Sequence, residues 1–396
     1  MTSPYLRETY QPVPPARLRH HDPAPAPWPV TVAIMARDEQ RCIRRCVDSV
    51  LASPVDAVLV LDTGSTDQTL AILASYADSR IEVVQHRWDH SFAEARNAAM
   101  ERARPGWIVF LDADEWLAED TAEALRACLN SFEATPGMEL AALAPMIREA
   151  HTGVQYDDIP RIMPTWTLRF HGAVHEYPYV PGRDIVPGLF GVSLELMHDG
   201  YRPEVAIAKG KMQRNLSLIE RARASEPHNP RWLFYHLRDG LWEMSGPDII
   251  DICTQLADAD HPGPCDRHRP DTYRRNALAH ACTRLAQLGD WHQALAYCTD
   301  LDRLSPPSSP DAIYIRGLYE LLNGTGATPQ GLLTAVRTRG NAYALANSGV
   351  DTHGRPLDAL IAAYLHDLKG RETANAYLAM CHPWTDPFFD ASRLRQ

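Results

Sequence analysis

The chain has 396 residues, 45% of them apolar, which is enough for a catalytic domain and one further domain. Its formal net charge of −11 disfavours nonspecific binding to nucleic-acid phosphates or to anionic membrane, although it leaves room for a local basic groove. No stretch approaches the roughly 20 apolar residues of a membrane span. We therefore expect neither a nucleic-acid partner nor a membrane span.

Residues 1–29 are rich in proline and contain no apolar run. This composition indicates an extended, poorly ordered arm and is unlike a signal peptide.

The eight cysteines include no CxxC pair. A scattered set in a chain of this length indicates reduced thiols and a cytoplasmic protein rather than a disulfide framework. A zinc site at His261, Cys265 and His268 was considered, but its irregular spacing in a proline-rich segment argues against it.

From residue 30 onward, short apolar runs alternate with amphipathic helices. The pattern predicts strands at 30–35, 57–61, 81–84 and 107–111, with helices near 42–51, 70–77, 91–100 and 120–132. Ser91 with Glu94, and Asp120 with Glu123, have the spacing of capping boxes that open helices. Strand and helix in this alternation predict an α/β fold, a mostly parallel sheet with helices on both faces.

The remaining chain divides into two parts. Residues 137–200 carry β-like runs at 141–147, 167–170 and 191–197, and we assign them to the second half of the same domain, which would span 30–202. Residues 203–396 form a predicted helical domain, with helices near 229–244, 271–287, 290–303, 310–322 and 355–380. Two segments about 36 residues apart resemble tetratricopeptide hairpins, and an ordinary helical domain is the alternative.

Acidic residues follow three of the predicted strands. They are Asp38, Glu39, Asp62, Asp67, Asp112, Asp114 and Glu115. Because the carboxyl ends of parallel strands line one edge of a sheet, we expect these side chains to converge on one cleft.

This cleft lacks a glycine-rich phosphate loop, since Gly64 is the only glycine after the second strand. A divalent cation is the other way to hold phosphates among carboxylates. Asp112 and Asp114 lie at positions i and i+2 of an extended segment and so point to the same side. That spacing suits one shared metal ion, or one metal ion and one ribose.

Several segments together resemble the family 2 glycosyltransferases, and especially the branch of bacteriocin S-glycosyltransferases, which carries tetratricopeptide-like C-terminal helices. They are MARDEQRCIRRCVDSV, LDTGSTDQT, SFAEARNAAM, WIVFLDADEWL, LRFHGAVHEYP and ELMHDGY, and they span roughly residues 30–220. Asp38 stands where the family usually has Asn. The resemblance implies a GT-A fold and inverting, metal-dependent transfer from a UDP-sugar or similar nucleotide-sugar.

The resemblance also implies roles for particular residues. Asp112 and Asp114 would be the DxD pair, with His198 as a third ligand of Mn²⁺ or Mg²⁺. Donor-binding positions would be Ala36, Arg37, Glu39, Asp62, Arg96, Asp112 and Ala113.

An acceptor hydroxyl needs a general base, whereas a thiol needs less help because its pKa is near 8.5. The candidates are Glu176 and His175, and we prefer Glu176 because the family usually employs a carboxylate. Trp116 is either a wall of the sugar pocket or a core aromatic residue.

The acceptor is not readable from the sequence. A helical repeat array suits a peptide Ser, Thr or Cys, while a small metabolite or a glycan stays open, as does a homodimer formed through the helical domain. The rival functions are a degenerate domain that only binds nucleotide and recruits a partner, and a nucleotidyl transferase. The second normally needs a basic or glycine-rich triphosphate loop, and no such loop is evident.

Overall fold

The structure is a computed structural model. It describes residues 6–11, 27–133, 135, 137–183, 185–200, 202, 205, 209–259, 270–306, 308–323, 326–382, 384 and 388. Two compact units divide the chain, residues 1–218 and residues 219–396. The domain limits predicted from the sequence, 1–29, 30–202 and 203–396, stay predictions.

The first unit is built on a mixed sheet. Its strands are β1 (Leu6–Gln11), β2 (Val30–Ala36), β3 (Ala57–Asp62), β4 (Ile81–Gln85), β5 (Trp107–Asp112), β6 (Glu115–Leu117), β7 (Ala141–Glu149), β8 (Gln155–Tyr156), β9 (Ile162–Pro164) and β12 (Gly188–His198). The order is β1-β12-β7-β9-β5-β2-β3-β4, with β6 on β12 and β8 on β7. Strands β5, β2, β3 and β4 are mutually parallel, and β7 is parallel to β12, whereas β9 joins these two groups by antiparallel pairing. Strands β10 (Arg169–His171) and β11 (Tyr177–Tyr179) form a separate antiparallel pair.

Helices cover both faces of the parallel half. They are α1 (Ile43–Leu51), α2 (Thr69–Ala74), α3 (Phe92–Arg102) and α4 (Glu119–Glu133). Val32 and Ile34 of β2 pack in one core cluster with α1, α2 and α4, while Ala33 between them belongs to another with α3 and β10. Alternate residues of a strand point to opposite faces, so the prediction of a sheet covered on both sides is confirmed.

Helix α3 begins as the sequence predicts, because Ser91 accepts a hydrogen bond from the Glu94 N–H at 3.2 Å. Helix α4 begins at Glu119, so Asp120 lies within its first turn rather than before it. Strand β1 was missed: residues 6–11 of the expected arm pair with β12 in an antiparallel register. An edge strand of this kind gains its hydrogen bonds from a partner far along the chain, which local composition does not reveal.

The second unit is helical, as predicted. Helix α5 (Lys211–Ser225) spans the division between the units, and the others are α6 (Pro230–Gly240), α7 (Gly246–Asp258), α8 (Pro270–Gln287), α9 (Trp291–Leu304), α10 (Pro310–Asn323), α11 (Pro329–Arg339), α12 (Ala342–Leu345), α13 (Arg355–Lys369) and α14 (Arg371–Leu378). The predictions missed α7, α11 and α12, and the segment predicted near 355–380 is divided at Gly370. Gly370 has φ of 91°, a left-handed conformation that ends α13.

None of the helices in the described residues combines the length and the apolar character that crossing a bilayer requires. The cysteines of the described residues, which leave out Cys265, are free thiols. The rejected zinc ligands His261, Cys265 and His268 lie outside the described residues.

Candidate active site

The carboxyl ends of three neighbouring strands form one edge of the sheet. Ala36 of β2 pairs with Asp62 of β3, and Met35 of β2 pairs with Asp112 of β5. Ala113 is buried and donates its N–H to the Met35 carbonyl at 3.2 Å. The predicted donor-binding residues Ala36, Asp62, Asp112 and Ala113 therefore lie together where open parallel sheets bind ligands.

The loops after β2 and β3 are joined by the Asp38 carboxylate. Asp38 has φ of 54°, a left-handed conformation that Asp tolerates. Its Oδ1 accepts the N–H groups of Thr66 and Asp67 at 2.7 and 3.3 Å, and its own N–H donates to Ser65 Oγ at 2.9 Å. Asp38 therefore holds the second loop in place.

Asp62 shapes the same loop. It is 1% exposed, and its Oδ1 accepts the N–H groups of Gly64 and Ser65, both at 3.0 Å. Its Oδ2 is buried without a hydrogen-bond partner in the described part of the chain. A buried carboxylate oxygen normally has a donor, so this oxygen is suited to a ligand hydroxyl or N–H. Arg37, which follows β2, is exposed.

The acids after β5 pack around a buried arginine that the sequence analysis missed. Arg161 Nη2 lies 3.0 Å from Asp112 Oδ2 and 2.6 Å from Glu115 Oε1. Glu115 Oε2 also accepts the Asp112 N–H at 2.9 Å. Glu115 is 2% exposed, whereas the side chain of Asp112 is 40% exposed and reachable by a ligand. Arg161 thus fixes the turn that carries Asp112 and Asp114.

Burial opposes ionisation of these acids, and the nearby cations decide the outcome for each. Arg161 and Arg96 outweigh burial and lower the pKa of Asp112. His198 and two lysines likewise lower the pKa of Asp114. For Glu115, burial dominates and raises the pKa despite Arg161. The site therefore presents Asp112 and Asp114 as anions, the form that binds a metal ion.

His198 lies between two carboxylates. Its Nδ1 is 2.5 Å from Glu149 Oε1, and its Nε2 is 3.5 Å from Asp114 Oδ1. Although burial opposes a charged ring, Asp114 and Glu149 raise the pKa of His198 to about 9. The ring is therefore protonated on both nitrogens at neutral pH, and a cation bound at Nε2 would have to displace that proton. A histidine that binds a metal commonly gives its other ring N–H to a carboxylate, so Glu149 is placed to orient Nε2 toward Asp114.

Gly200 packs closely against this pair. A Cβ on Gly200 would lie 2.0 Å from Asp114 Oδ2 and 2.6 Å from His198 Nε2. Any side chain at this position would therefore clash with both predicted ligands and displace them.

Two lysines also contact this edge. Lys211 Nζ is 3.3 Å from Asp114 Oδ2 and donates to the Gly200 carbonyl at 3.1 Å. Lys209 Nζ forms an ion pair with Glu39 and lies 3.9 Å from Asp114 Oδ2. Glu39, a predicted donor-binding residue, is thereby linked to Asp114 across the ends of β2 and β5.

We call the carboxylates at the ends of β2, β3 and β5 the acid edge: Glu39, Asp62, Asp112, Asp114 and Glu115. Arg96 connects this acid edge to the predicted base, Glu176. It is 4% exposed and lies against the rings of Phe110 and Phe170, 5.0 and 5.5 Å from their centres. Its Nε is 2.6 Å from Glu176 Oε1, and its Nη2 is 3.3 Å from Asp112 Oδ1. Nη1 is buried with no hydrogen-bond partner among the described residues. The predicted residues Arg96, Asp112 and Glu176 are therefore in direct contact.

His175 precedes Glu176 and has φ of 50°, a left-handed conformation that is uncommon for a residue with a side chain. Such backbone strain is often found at functional sites.

Trp116 packs against Arg45, whose guanidinium lies 3.6 Å from the ring centre. Arg45 and Arg41 both bind the buried carboxylate of Asp199, at 2.7 and 2.8 Å. This network ties α1 to the end of β12, next to His198. Trp116 is half-buried in that network.

As it stands, the structure brings together two of the three predicted metal ligands. Within the described residues, no group of three or more His, Cys, Asp or Glu side chains is arranged as a metal cluster. Asp114 and His198 are neighbours, whereas the Asp112 carboxylate is turned to Arg96 and Arg161. Two carboxylates and an imidazole are a set of side chains that suits Mn²⁺. These residues fit a divalent cation if the Asp112 carboxylate turns from the two arginines toward Asp114 and if Lys211 leaves Asp114.

Sequence reasoning missed Arg161, Glu149, Lys209 and Lys211. Arg161 and Glu149 reach the site through strand pairings, β9 with β5 and β7 with β12, which no local motif announces. The lysines did leave a signal, because two of the three lysines in the chain lie eight and ten residues after the ELMHDGY segment.

Comparison with known proteins shows what the chain is similar to. Residues 31–136 match the family model described as glycosyl transferase family 2. The SPbeta prophage-derived glycosyltransferase SunS of Bacillus subtilis is 28% identical over 296 residues, 74% of this chain and 67% of that relative. A TPR repeat-containing protein of Synechococcus elongatus is 34% identical over 149 residues, 37% of this chain and 34% of its own length.

Among solved structures, a crystal structure of residues 1–349 of S. aureus TarS matches at a TM-score of 0.35 and 11% identity, covering 86% of this chain and 95% of that one. At that distance, we draw nothing from this likeness.

The matched residues 31–136 contain β2 to β5 and thus most of the acid edge described above. Both the family match and the SunS relative name the same activity. Residues 31–136 therefore resemble a family 2 glycosyl transferase domain, and the chain is a glycosyltransferase, similar to the bacteriocin S-glycosyltransferase branch.

Proposed function

We propose that this glycosyltransferase uses a nucleotide-sugar donor, most simply a UDP-sugar, and transfers the sugar with inversion in a reaction that depends on Mn²⁺ or Mg²⁺. The observation that carries the proposal is the grouping of Asp114, His198 and Glu149 at the same sheet edge as Asp62. The Asp62 carboxylate there has a buried oxygen with no hydrogen-bond partner among the described residues. The Asp114 carboxylate lies beside the His198 imidazole, which Glu149 orients.

Different residues bind different parts of the donor. Asp62 Oδ2 accepts a hydrogen bond from the base or the ribose, and Ala36 and Ala113 form the backbone floor beside it. Asp112, Asp114 and His198 would hold the divalent cation, and the lack of a side chain at Gly200 lets Asp114 and His198 keep their positions. A cation bound there would neutralise the negative charge that grows on the leaving diphosphate.

Glu176 acts as the general base. Its Oε1 is held by Arg96 at 2.6 Å, which fixes the carboxylate in place. The same guanidinium contacts Asp112, so Arg96 sets the distance between the base and the donor site. A base placed opposite the leaving group removes the acceptor proton while the acceptor attacks from that side, and inversion follows.

We propose a peptide Ser, Thr or Cys as the acceptor, and a small metabolite or a glycan as the alternative. Support comes from the helical second unit and from similarity to a TPR repeat-containing protein, because helical repeats commonly offer extended surfaces to peptides. The free cysteines of the described residues fit a reaction in the reducing cytoplasm.

The proposal is tested with a panel of UDP-Glc, UDP-GlcNAc, UDP-Gal and GDP-Man, scored by donor hydrolysis with Mn²⁺ and after EDTA. We expect turnover of at least one UDP-sugar, loss of that turnover in EDTA, and an inverted anomer in the product by ¹H NMR. Asp114→Asn should slow turnover by about 10²–10³-fold, because a metal contributes several kcal/mol to the transition state.

The matched control is Asp120→Asn, since Asp120 is exposed in the first turn of α4 and should leave turnover unchanged. Turnover that survives EDTA and Asp114→Asn would refute the metal role. Binding of UDP with no turnover of any donor would favour the degenerate, nucleotide-binding scaffold. Release of pyrophosphate from a nucleoside triphosphate would favour nucleotidyl transfer.

A further inference from the structure

Lysine is scarce in this chain and is concentrated at one place. The 396 residues include 36 arginines but only three lysines, Lys209, Lys211 and Lys369. Lys209 and Lys211 both contact the carboxylates of the acid edge, whereas Lys369 is exposed at the end of α13. A chain that uses arginine almost everywhere else has lysine at the two positions that face Asp114.

The arginines and lysines at this edge differ in how firmly they are held. Arg161 and Arg96 have side chains 9% and 5% exposed, and each bridges two carboxylates. Lys209 and Lys211 are 23% and 22% exposed, and they lie just before and at the start of α5. Arginine forms planar, paired hydrogen bonds, while lysine is a compact point charge on a flexible stem. The arginines therefore suit fixed bonds and the lysines suit bonds that exchange.

Asp114 Oδ2 cannot serve an ammonium group and a divalent cation equally. Lys211 Nζ lies 3.3 Å from that oxygen and Lys209 Nζ lies 3.9 Å from it, while His198 Nε2 lies 3.5 Å from the other oxygen of the same carboxylate. A cation bound there would repel both ammonium groups at short range. A donor diphosphate brings new negative charge, to which the displaced ammonium groups can turn.

We propose that Lys209 and Lys211 are exchangeable counterions, which neutralise Glu39 and Asp114 in the donor-free chain and bind the donor diphosphate once Asp114 ligates a divalent cation. The inference rests on the proposed function, because it requires the metal site at Asp114 and His198. It adds a phosphate-binding role for two residues outside the matched residues 31–136 and makes metal binding and donor binding depend on each other.

The test uses Lys209→Met and Lys211→Met in the full chain, with Lys369→Met as the matched control. Mn²⁺ affinity is measured by electron paramagnetic resonance without nucleotide, and UDP affinity by calorimetry at saturating Mn²⁺. We expect each variant at the acid edge to bind Mn²⁺ alone about fivefold or more tightly than wild type and UDP about fivefold or more weakly, the lower end of common coupling strengths. Lys369→Met should match wild type in both.

Lys211→Arg is a second variant that keeps the positive charge. Because a guanidinium can hold Asp114 through two hydrogen bonds, this variant should bind Mn²⁺ alone no better than wild type. Thermal melting confirms that each variant is folded.

Tighter Mn²⁺ binding together with weaker UDP binding supports the exchange, since a damaged fold would weaken both affinities. Unchanged Mn²⁺ affinity in both methionine variants, or weakened Mn²⁺ affinity in a folded variant, overturns the exchange while leaving the metal site intact. If neither wild type nor any variant binds Mn²⁺, with or without UDP, the metal site of the proposed function fails and the exchange fails with it.

Discussion

Both units bury carboxylates, but those of the first unit share their cations, whereas each of those described in the helical unit has partners of its own. At the acid edge of the first unit, Asp114 and Glu115 face His198, lysines and an arginine from other parts of the chain. In the helical unit, Asp311 accepts hydrogen bonds from the Ser348 hydroxyl at 2.7 Å and from the Gly349 N–H at 2.8 Å.

The other buried acids of the helical unit also hold local structure. Asp351 pairs with Arg355 at the start of α13, and Asp358 is bound by Arg339 and by the Tyr377 hydroxyl, both at 2.7 Å. Each of these acids ties a loop or a helix to its neighbour.

The contrast separates two uses of a buried acid. Where a carboxylate has its own local donors, as in the helical unit, its removal should cost stability. Where carboxylates crowd together and share cations, the crowding itself is costly and points to a ligand. Substitutions at the acid edge should therefore affect catalysis more than stability, and those in the helical unit should do the reverse.

The largest effect is expected at Glu176. Glu176→Gln keeps the shape of the side chain but removes its ability to take a proton, and a general base typically contributes about 10²–10⁴-fold. Transfer to hydroxyl acceptors, including water, should fall by that factor, with less loss for a thiol acceptor. The measurement is kcat for donor hydrolysis with Mn²⁺, with exposed Glu123→Gln as the control. A kcat within about twofold of wild type would remove Glu176 from the base role.

Glu149→Gln should have the next largest effect. The neutral amide no longer stabilises the orientation of His198, and loss of such a partner usually lowers metal affinity or activity about 10–100-fold. Mn²⁺ affinity in the presence of UDP measures this, and exposed Glu119→Gln is the control. Equal Mn²⁺ affinities in the variant and in wild type would mean that Glu149 is only a packing partner.

The smallest effect on activity is expected in the helical unit. Asp311→Ala leaves the Ser348 hydroxyl and the Gly349 N–H without their acceptor, which should cost about 1–3 kcal/mol of unfolding free energy. Thermal melting should show the loss, while donor hydrolysis below the melting temperature stays at the wild-type rate. Exposed Asp367→Ala should change neither. A stable but inactive Asp311→Ala variant would contradict the division between the two kinds of acid.

The parallel half of the sheet could be predicted from the sequence because its signals are local. Strands β2, β3, β4 and β5 are compact apolar runs, and Ser91 is the N-cap residue that marks the start of α3. The convergence of the acids followed from the geometry of parallel strands alone.

The partners of those acids could not be predicted in the same way. Glu149 meets His198 because β7 and β12 pair in a particular register, and Arg161 precedes β9, a strand of three residues. Such pairings depend on contacts far apart in sequence and leave no periodic pattern. The three-residue strands β6 and β11 were missed for the same reason.

The most direct test of the account is Mn²⁺ binding in the presence of UDP, followed by electron paramagnetic resonance, in wild type and Asp114→Asn. We predict one tightly held Mn²⁺ per wild-type chain and an affinity at least about tenfold weaker in the variant, since Asp114 and His198 hold the ion together. Equal affinity and stoichiometry in the two proteins would contradict a metal site at this edge of the sheet.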